Sequence, residues 1–189
     1  MKPIIFSAEM VSAILEGRKT QTRRVIKPQP AWINSSGRWC WPIPKTKRHK
    51  GCCDEVVTAS REWWEYLSSE QLPYQSGDIL WVRETWCHAD TTDEIIYKSD
   101  NPSLSAKWRP SICMPRKAAR LFLRVKNVRV ERLQDIAEIE ATHEGIIKHL
   151  GIHARNDFSK LWDSIYGKRG YGWDTNPWVW VIDFERRER

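Results

Sequence analysis

The chain has 189 residues, 41% hydrophobic and 29% charged, a balance that excludes a disordered or fibrous polypeptide and lets one domain bury its own core. Lysine and arginine outnumber aspartate and glutamate by 31 to 24, and the resulting +7 charge favours polyanionic partners. No run approaches the roughly 18 apolar residues of a membrane helix, so no membrane role is expected, and the first residues lack the long apolar core of a signal peptide. Five cysteines at irregular positions (40, 52, 53, 87 and 113) do not form a secreted disulfide framework, and reduced thiols in a cytoplasm are expected. Twelve tryptophans are far above ordinary usage, and for any one of them burial in a core is the commoner fate. Tryptophan fills interiors, but it also offers a flat face on which a base stacks.

Pro3 to Phe6 reads as a short strand. Ser7 is a good N-cap for a helix whose stripe is Val11, Ile14 and Leu15, closed by Gly17. The following segment, Arg18-Lys19-Thr20-Gln21-Thr22-Arg23-Arg24-Val25, is extended by its β-branched residues and polar on both faces. It fits either the wall of a polar site or a solvated edge strand. From about 27 to 76 periodicity fails: five prolines, a basic run from Lys45 to Lys50 and several tryptophans mark an insertion, with one short helix near Glu62 to Leu67.

Gly77-Asp78 turns into a strand, Ile79 to Glu84, and Ile95 to Lys98 is another. A loop from Pro102 to Pro115 carries Trp108 and Arg109, with Arg116 just beyond. Apolar alternation then runs through Leu121, Leu123 and Val125 and changes phase near Asn127, which predicts a bulge or a turn. Asp135 with Glu138 has capping-box spacing for a helix ending near Glu144 and Gly145. Phe158, Leu161, Trp162, Ile165 and Tyr166 make a helical stripe ended by Gly167, and Trp178 to Glu185 is a central strand. Short strands with irregularly placed helices predict an α+β domain around a small barrel or curved sheet. No internal repeat is present.

Chemistry-bearing groups are few. Cys40, His49, Cys52 and Cys53 lack the paired knuckles of a zinc site, so no metal and no cofactor is expected. Cys87-His88 are sequence neighbours, which does not make a nucleophile and base. His143, His149 and His153 read as surface histidines, and no glycine-rich phosphate loop occurs. Lys19 with Thr22 is the better candidate: a threonine hydroxyl needs a neighbouring base, and a lysine serves where burial or cations such as Arg18, Arg23 and Arg24 depress its pKa.

The stretch Leu15 to Arg24 resembles the signature of the ASCH domain, a branch of the PUA-like superfamily. Gly77 to Glu84 is similar to that family's Gly-Asp turn and second strand, Glu138 to Gly145 to its acidic helix, and Trp178 to Glu185 to its closing strand. With Trp108-Arg109-Pro110 and Met114-Pro115-Arg116, the chain is most similar to phage- and prophage-encoded ASCH-like proteins; the segment 27–76 has no counterpart. The resemblance implies a five- or six-stranded barrel, with helices at its mouth, and a cleft for RNA or a modified nucleoside. One bacterial ASCH group hydrolyses the amide of N4-acetylcytidine with a lysine, a threonine three residues on and a distant glutamate, which fall on Lys19, Thr22 and Glu144. The implied catalytic set is therefore Lys19, Thr22 and Glu144. The implied ligand-binding set is Arg18, Arg24, Arg83, Glu84, Trp86, Trp108, Arg109 and Arg116. Family members without hydrolase activity share the Lys-Thr motif. A non-catalytic module for RNA or single-stranded nucleic acid therefore stands beside the amidohydrolase, as does a phage-encoded factor docking on a host protein through the tryptophan-rich insertion.

Overall fold

The structure is a computed structural model that describes residues 1–33, 38–40, 72–89, 94–147 and 153–187. It is an α+β fold built on one five-stranded sheet. In chain order its strands are β1 (Lys2–Ile5), β2 (Gln21–Val25), β3 (Ala31–Ile33), β4 (Arg38–Cys40), β5 (Ile79–Arg83), β6 (Trp86–His88), β7 (Ile95–Tyr97), β8 (Phe122–Arg132) and β9 (Trp178–Arg187). The helices are α1 (Ala8–Leu15), α2 (Glu138–His143) and α3 (Ala154–Tyr166). The main sheet runs β1-β5-β8-β9-β2, and β1 on β5 is its parallel pair.

The two faces of the sheet follow from strand parity. Trp180, Ile182 and Phe184 of β9 join Leu80 and Val82 of β5 and the buried stripe of α1 in the main core. The intervening Val179 and Val181 face α2 and α3 with Phe158, Trp162 and Tyr166. Trp81, on the other face of β5, packs with Trp86, Met114, Ala118 and Ala119. A strand buried on both sides reads as a continuous apolar run, as Trp178 to Ile182 does. The predicted phase change is a bulge: β8 is one strand, and its pairing with β9 slips between Val125 and Asn127.

Several local expectations need correction. The Glu140 carboxylate reaches back to Ala137 N–H at 3.1 Å, so the start of α2 is capped two residues later than Asp135-Glu138 spacing implied. Gly167 stays right-handed and the chain continues into a 3-10 turn; the left-handed residue is Gly170. Ala31–Ile33 and Arg38–Cys40 form an antiparallel pair inside the segment read as lacking periodicity. The predicted helix near 62–67, the basic run 45–50, His49, Cys52, Cys53 and His149 lie outside the described residues.

The barrel expectation is met only at the coarser level of a mixed sheet. Among the described residues no backbone ladder joins the two edge strands, β1 and β2. A side chain spans them instead: the Arg24 guanidinium on β2 donates to Ile5 O on β1 at 2.6 Å. Among the described residues, no helix is long and apolar enough to cross a membrane.

Candidate functional site

The segment after α1 enters the fold at a tight point. Lys19 N–H donates to Ala13 O, Thr20 N–H to His143 O, and Lys19 pairs with Glu144 as an isolated antiparallel bridge. The chain leaves α2 through Gly145 at φ +92, where an added Cβ would lie 3.0 Å from Ala13 Cβ and 3.1 Å from Lys19 Cβ. Glycine is required there for its conformation and for the close approach.

This crossing buries a charged cluster. Lys19 is 2% exposed and Glu144 is 5% exposed. Lys19 Nζ donates to Glu144 Oε2 at 2.7 Å, Glu144 O at 2.8 Å and Gln21 O at 2.9 Å, which accounts for all three ammonium protons. Arg23, with a fully buried side chain, donates to Glu144 Oε1 (3.3 Å), Gln21 Oε1 (2.5 Å), Glu131 Oε2 (3.2 Å) and Glu140 Oε2 (2.9 Å). Arg129 extends the network to Glu131, Glu140 and Asp183. Three cations thus meet four carboxylates, so the positive charge expected here is neutralised within the cluster. Burial pulls the Lys19 pKa below its ordinary 10.5, and the Glu144 carboxylate opposes that pull. Burial also works to raise the Glu140 pKa, but Ala137 N–H, Arg23 and Arg129 hold it below the ordinary 4.5.

Thr22 is buried on β2 beside this cluster. None of the hydrogen bonds of Lys19 or Glu144 goes to its hydroxyl. Thr22, Arg23, Arg24 and Glu144 instead line one cavity of about 30 Å³, whose other wall is Met10 and the α3 side chains Phe158, Leu161, Trp162, Ile165 and Tyr166. The cavity lies along an open strand edge. Phe184 N–H donates to Thr20 O, and Ile26 N–H to Trp178 O, so even-numbered residues of this stretch pair with β9. The N–H and C=O of Arg23 therefore point away from β9. Arg23 Nε is buried without a hydrogen-bond partner.

The remaining ligand-binding candidates fall into two groups. Lys19 and Arg24 lie over the same Phe6 ring, at 5.7 and 5.3 Å, and Arg18 donates to Gly145 O at 2.8 Å. Arg83, Glu84, Trp86, Trp108, Arg109 and Arg116 belong to the region around residues 83–120. Arg83 stacks on Trp81 and donates to Ile112 O, while Arg116 lies against Met1 Sδ at 2.9 Å. Trp86 pairs its backbone with Arg109, whose guanidinium sits 5.0 Å from the indole, and Trp108 Nε1 donates to Leu104 O. Glu84, 1% exposed, takes a two-pronged contact from Arg120 (3.0 and 3.1 Å) and a Ser99 hydroxyl at 2.7 Å.

Sequence reasoning missed Glu131, Glu140, Asp183 and Arg129 as members of the cluster. Their signal was present in Arg129 and Glu131, charged residues alternating with Val128 and Val130 on one strand. Cys87 is buried, Cys113 is exposed, and both are free thiols; His88 stacks edge-on against Trp86. Among the described residues, no group of three His, Cys, Asp or Glu side chains is arranged to hold a metal ion.

No family model, curated protein or solved structure matches this chain.

Proposed function

We propose that this chain is an ASCH-like protein that takes an acylated nucleobase, of the N4-acylcytidine type, at the cavity beside Thr22 and hydrolyses its amide. One observation carries the reading: Lys19 and Glu144, 125 positions apart, are joined in a buried pair at 2.7 Å, and Glu144 shares a cavity wall with Thr22. The Arg24 bridge from β2 to Ile5 supports reading the sheet as an ASCH-like barrel closed by a side chain rather than by a ladder.

In this scheme Lys19, pushed towards the neutral amine by burial, accepts the Thr22 hydroxyl proton. Thr22 Oγ1 adds to the amide carbon, the C–N bond breaks, and the proton passes through Lys19 and Glu144 to the departing amine. Water then cleaves the threonyl ester, releasing the acid and restoring the hydroxyl. Arg18, paired with the exposed Glu16 at 2.6 Å, and Arg24 lie outside this buried ion network and are cations for the rest of a nucleotide.

A second reading, a non-catalytic nucleic-acid module, is favoured by the saturation of Lys19: an ammonium with three acceptors holds its proton and pins α2 to β2. Incubating the protein with N4-acetylcytidine and with acylated and unmodified RNA, and measuring both product and binding, separates the two. Product lost in Thr22→Ala supports the hydrolase; binding without product supports the module.

A further inference from the structure

The positive charge of the chain is confined to one stretch. Residues 101–130 hold eight lysines and arginines and no aspartate or glutamate, while the rest of the chain holds 23 cations against 24 acids. Charge segregated in this way is the footprint of contact with a polyanion. Three of the eight are spent inside the molecule: Arg120 on Glu84 and Asp100, Lys126 on Glu185, and Arg129 on the buried cluster. Lys107, Arg109, Arg116, Lys117 and Arg124 are exposed, and none forms an ion pair among the described residues.

The fold gathers these cations. Met114, Ala118 and Ala119 pack with Trp81, Trp86 and Phe122, which fastens the chain around 114–119 to the face of the sheet opposite the main core. Arg116 and Lys117 stand on the single 3-10 turn between those anchors. Arg109 stacks on Trp86 at 5.0 Å, and Arg83 of β5 stacks on Trp81 at 5.3 Å. Arg124, two residues beyond Phe122 on β8, shares the same face. An arginine laid on an indole keeps its planar fork oriented, which suits it to phosphate oxygens. Half-buried Trp108 lies between Lys107 and Arg109 in the chain, its Nε1–H fixed on Leu104 O. This face also connects to the cavity beside Thr22: Ile5 is opposite Arg83 in the β1–β5 pair, and Ile5 O accepts from Arg24, which lines the cavity.

We infer that this face docks the phosphate backbone of a single-stranded nucleic acid, which reaches the cavity past Arg83 and Arg24. The inference deepens the proposed function: the base arrives in a polynucleotide, not as a free nucleoside. It rests on that reading for what the strand carries, and not for the binding itself. Stacked arginines with an anchored indole among them favour nucleic acid over an acidic protein or an anionic lipid surface, neither of which needs a stacking partner.

The test is fluorescence anisotropy of a labelled oligouridylate of about 12 residues, with the full chain and a series of NaCl concentrations. The wild type binds, and affinity falls with salt by a logarithmic slope of about −0.7 for each phosphate engaged. Arg116→Glu with Lys117→Glu weakens binding at least about tenfold and flattens that slope by about 1.4, whereas Lys168→Glu, exposed on the turn after α3, changes little. Lys107→Ala with Arg124→Ala repeats the test should the first pair not fold. Trp108→Ala weakens oligouridylate about tenfold but leaves heparin, a polyanion without bases, unaffected. No binding, binding indifferent to salt, equal loss in Lys168→Glu, equal loss of heparin in Trp108→Ala, or tighter binding to phosphatidylserine vesicles overturns the inference. Oligouridylate binding by a protein that hydrolyses no acylated cytidine leaves the surface standing and removes the hydrolase. Hydrolysis of N4-acetylcytidine without strand binding does the reverse.

Discussion

Two buried glutamates, Glu144 and Glu84, are held in different ways. Glu84 is enclosed by Arg120, which meets both carboxylate oxygens, by the Ser99 hydroxyl, and by a further link from Arg120 to Asp100. Arg120 lies 3.9 Å from the Tyr97 ring centroid and keeps a quarter of its side chain in solvent. That arrangement is a closed fastening between the end of β5 and the chain entering β8. Glu144 is held by two cations with fully buried side chains, Lys19 and Arg23, and its cluster has an unpartnered donor beside a cavity. One carboxylate is satisfied and partly hydrated through its partner. The other lies in a fully enclosed network, two of whose members, Arg23 and Glu144, also line the cavity at which a substrate is proposed.

The difference has consequences for stability. Glu144→Ala leaves two buried cations short of a carboxylate, and a loss of about 3 to 5 kcal/mol is expected in urea unfolding. Glu84→Ala is expected to cost about 2 kcal/mol, because Arg120 retains Asp100 and reaches water. Equal losses would erase the distinction. Gly145→Ala sharpens it: the left-handed backbone and the 3.0 and 3.1 Å approaches to Ala13 and Lys19 predict a loss of about 1 to 3 kcal/mol, through the first cluster alone.

Acid probes both regions by sign. Hydrogen bonds from Arg120 hold the Asp100 pKa below its ordinary 3.8, and Glu140 lies below its ordinary 4.5 against the opposing effect of burial. Each folded value is under the unfolded one, so each contribution is complete above the ordinary value and is lost as pH falls through the folded value. Glu140→Gln and Asp100→Asn should each flatten the acid limb of the stability curve, Glu140→Gln beginning near pH 4.5 and Asp100→Asn lower. A curve unchanged by Glu140→Gln would remove that residue from the network.

Much of the frame was legible because both faces of the sheet are apolar. Parity in Leu121 to Val125 and Trp178 to Phe184, the Ser7 cap and the α3 stripe all report burial directly. The bulge was visible as a phase change. The Arg18 to Val25 segment was harder to read, since polar residues on both faces resemble a solvated edge. Gln21, Thr22 and Arg23 are in fact buried, and carboxylates from α2, β8 and β9 arrive to meet Gln21 and Arg23. No local pattern encodes such long-range charge pairing. The motif resemblance singled out Lys19, Thr22 and Glu144, whereas the cavity depends on Met10 and α3, whose side chains read only as core.

The most direct test of the account is hydrolysis of N4-acetylcytidine by the wild-type protein and by Thr22→Ala, with the stability of both measured alongside. The account predicts release of acetate and cytidine by the wild type, loss of turnover by about a thousandfold or more in Thr22→Ala, and stability within about 1 kcal/mol. Undiminished hydrolysis by Thr22→Ala, or no product from the wild type, would contradict it.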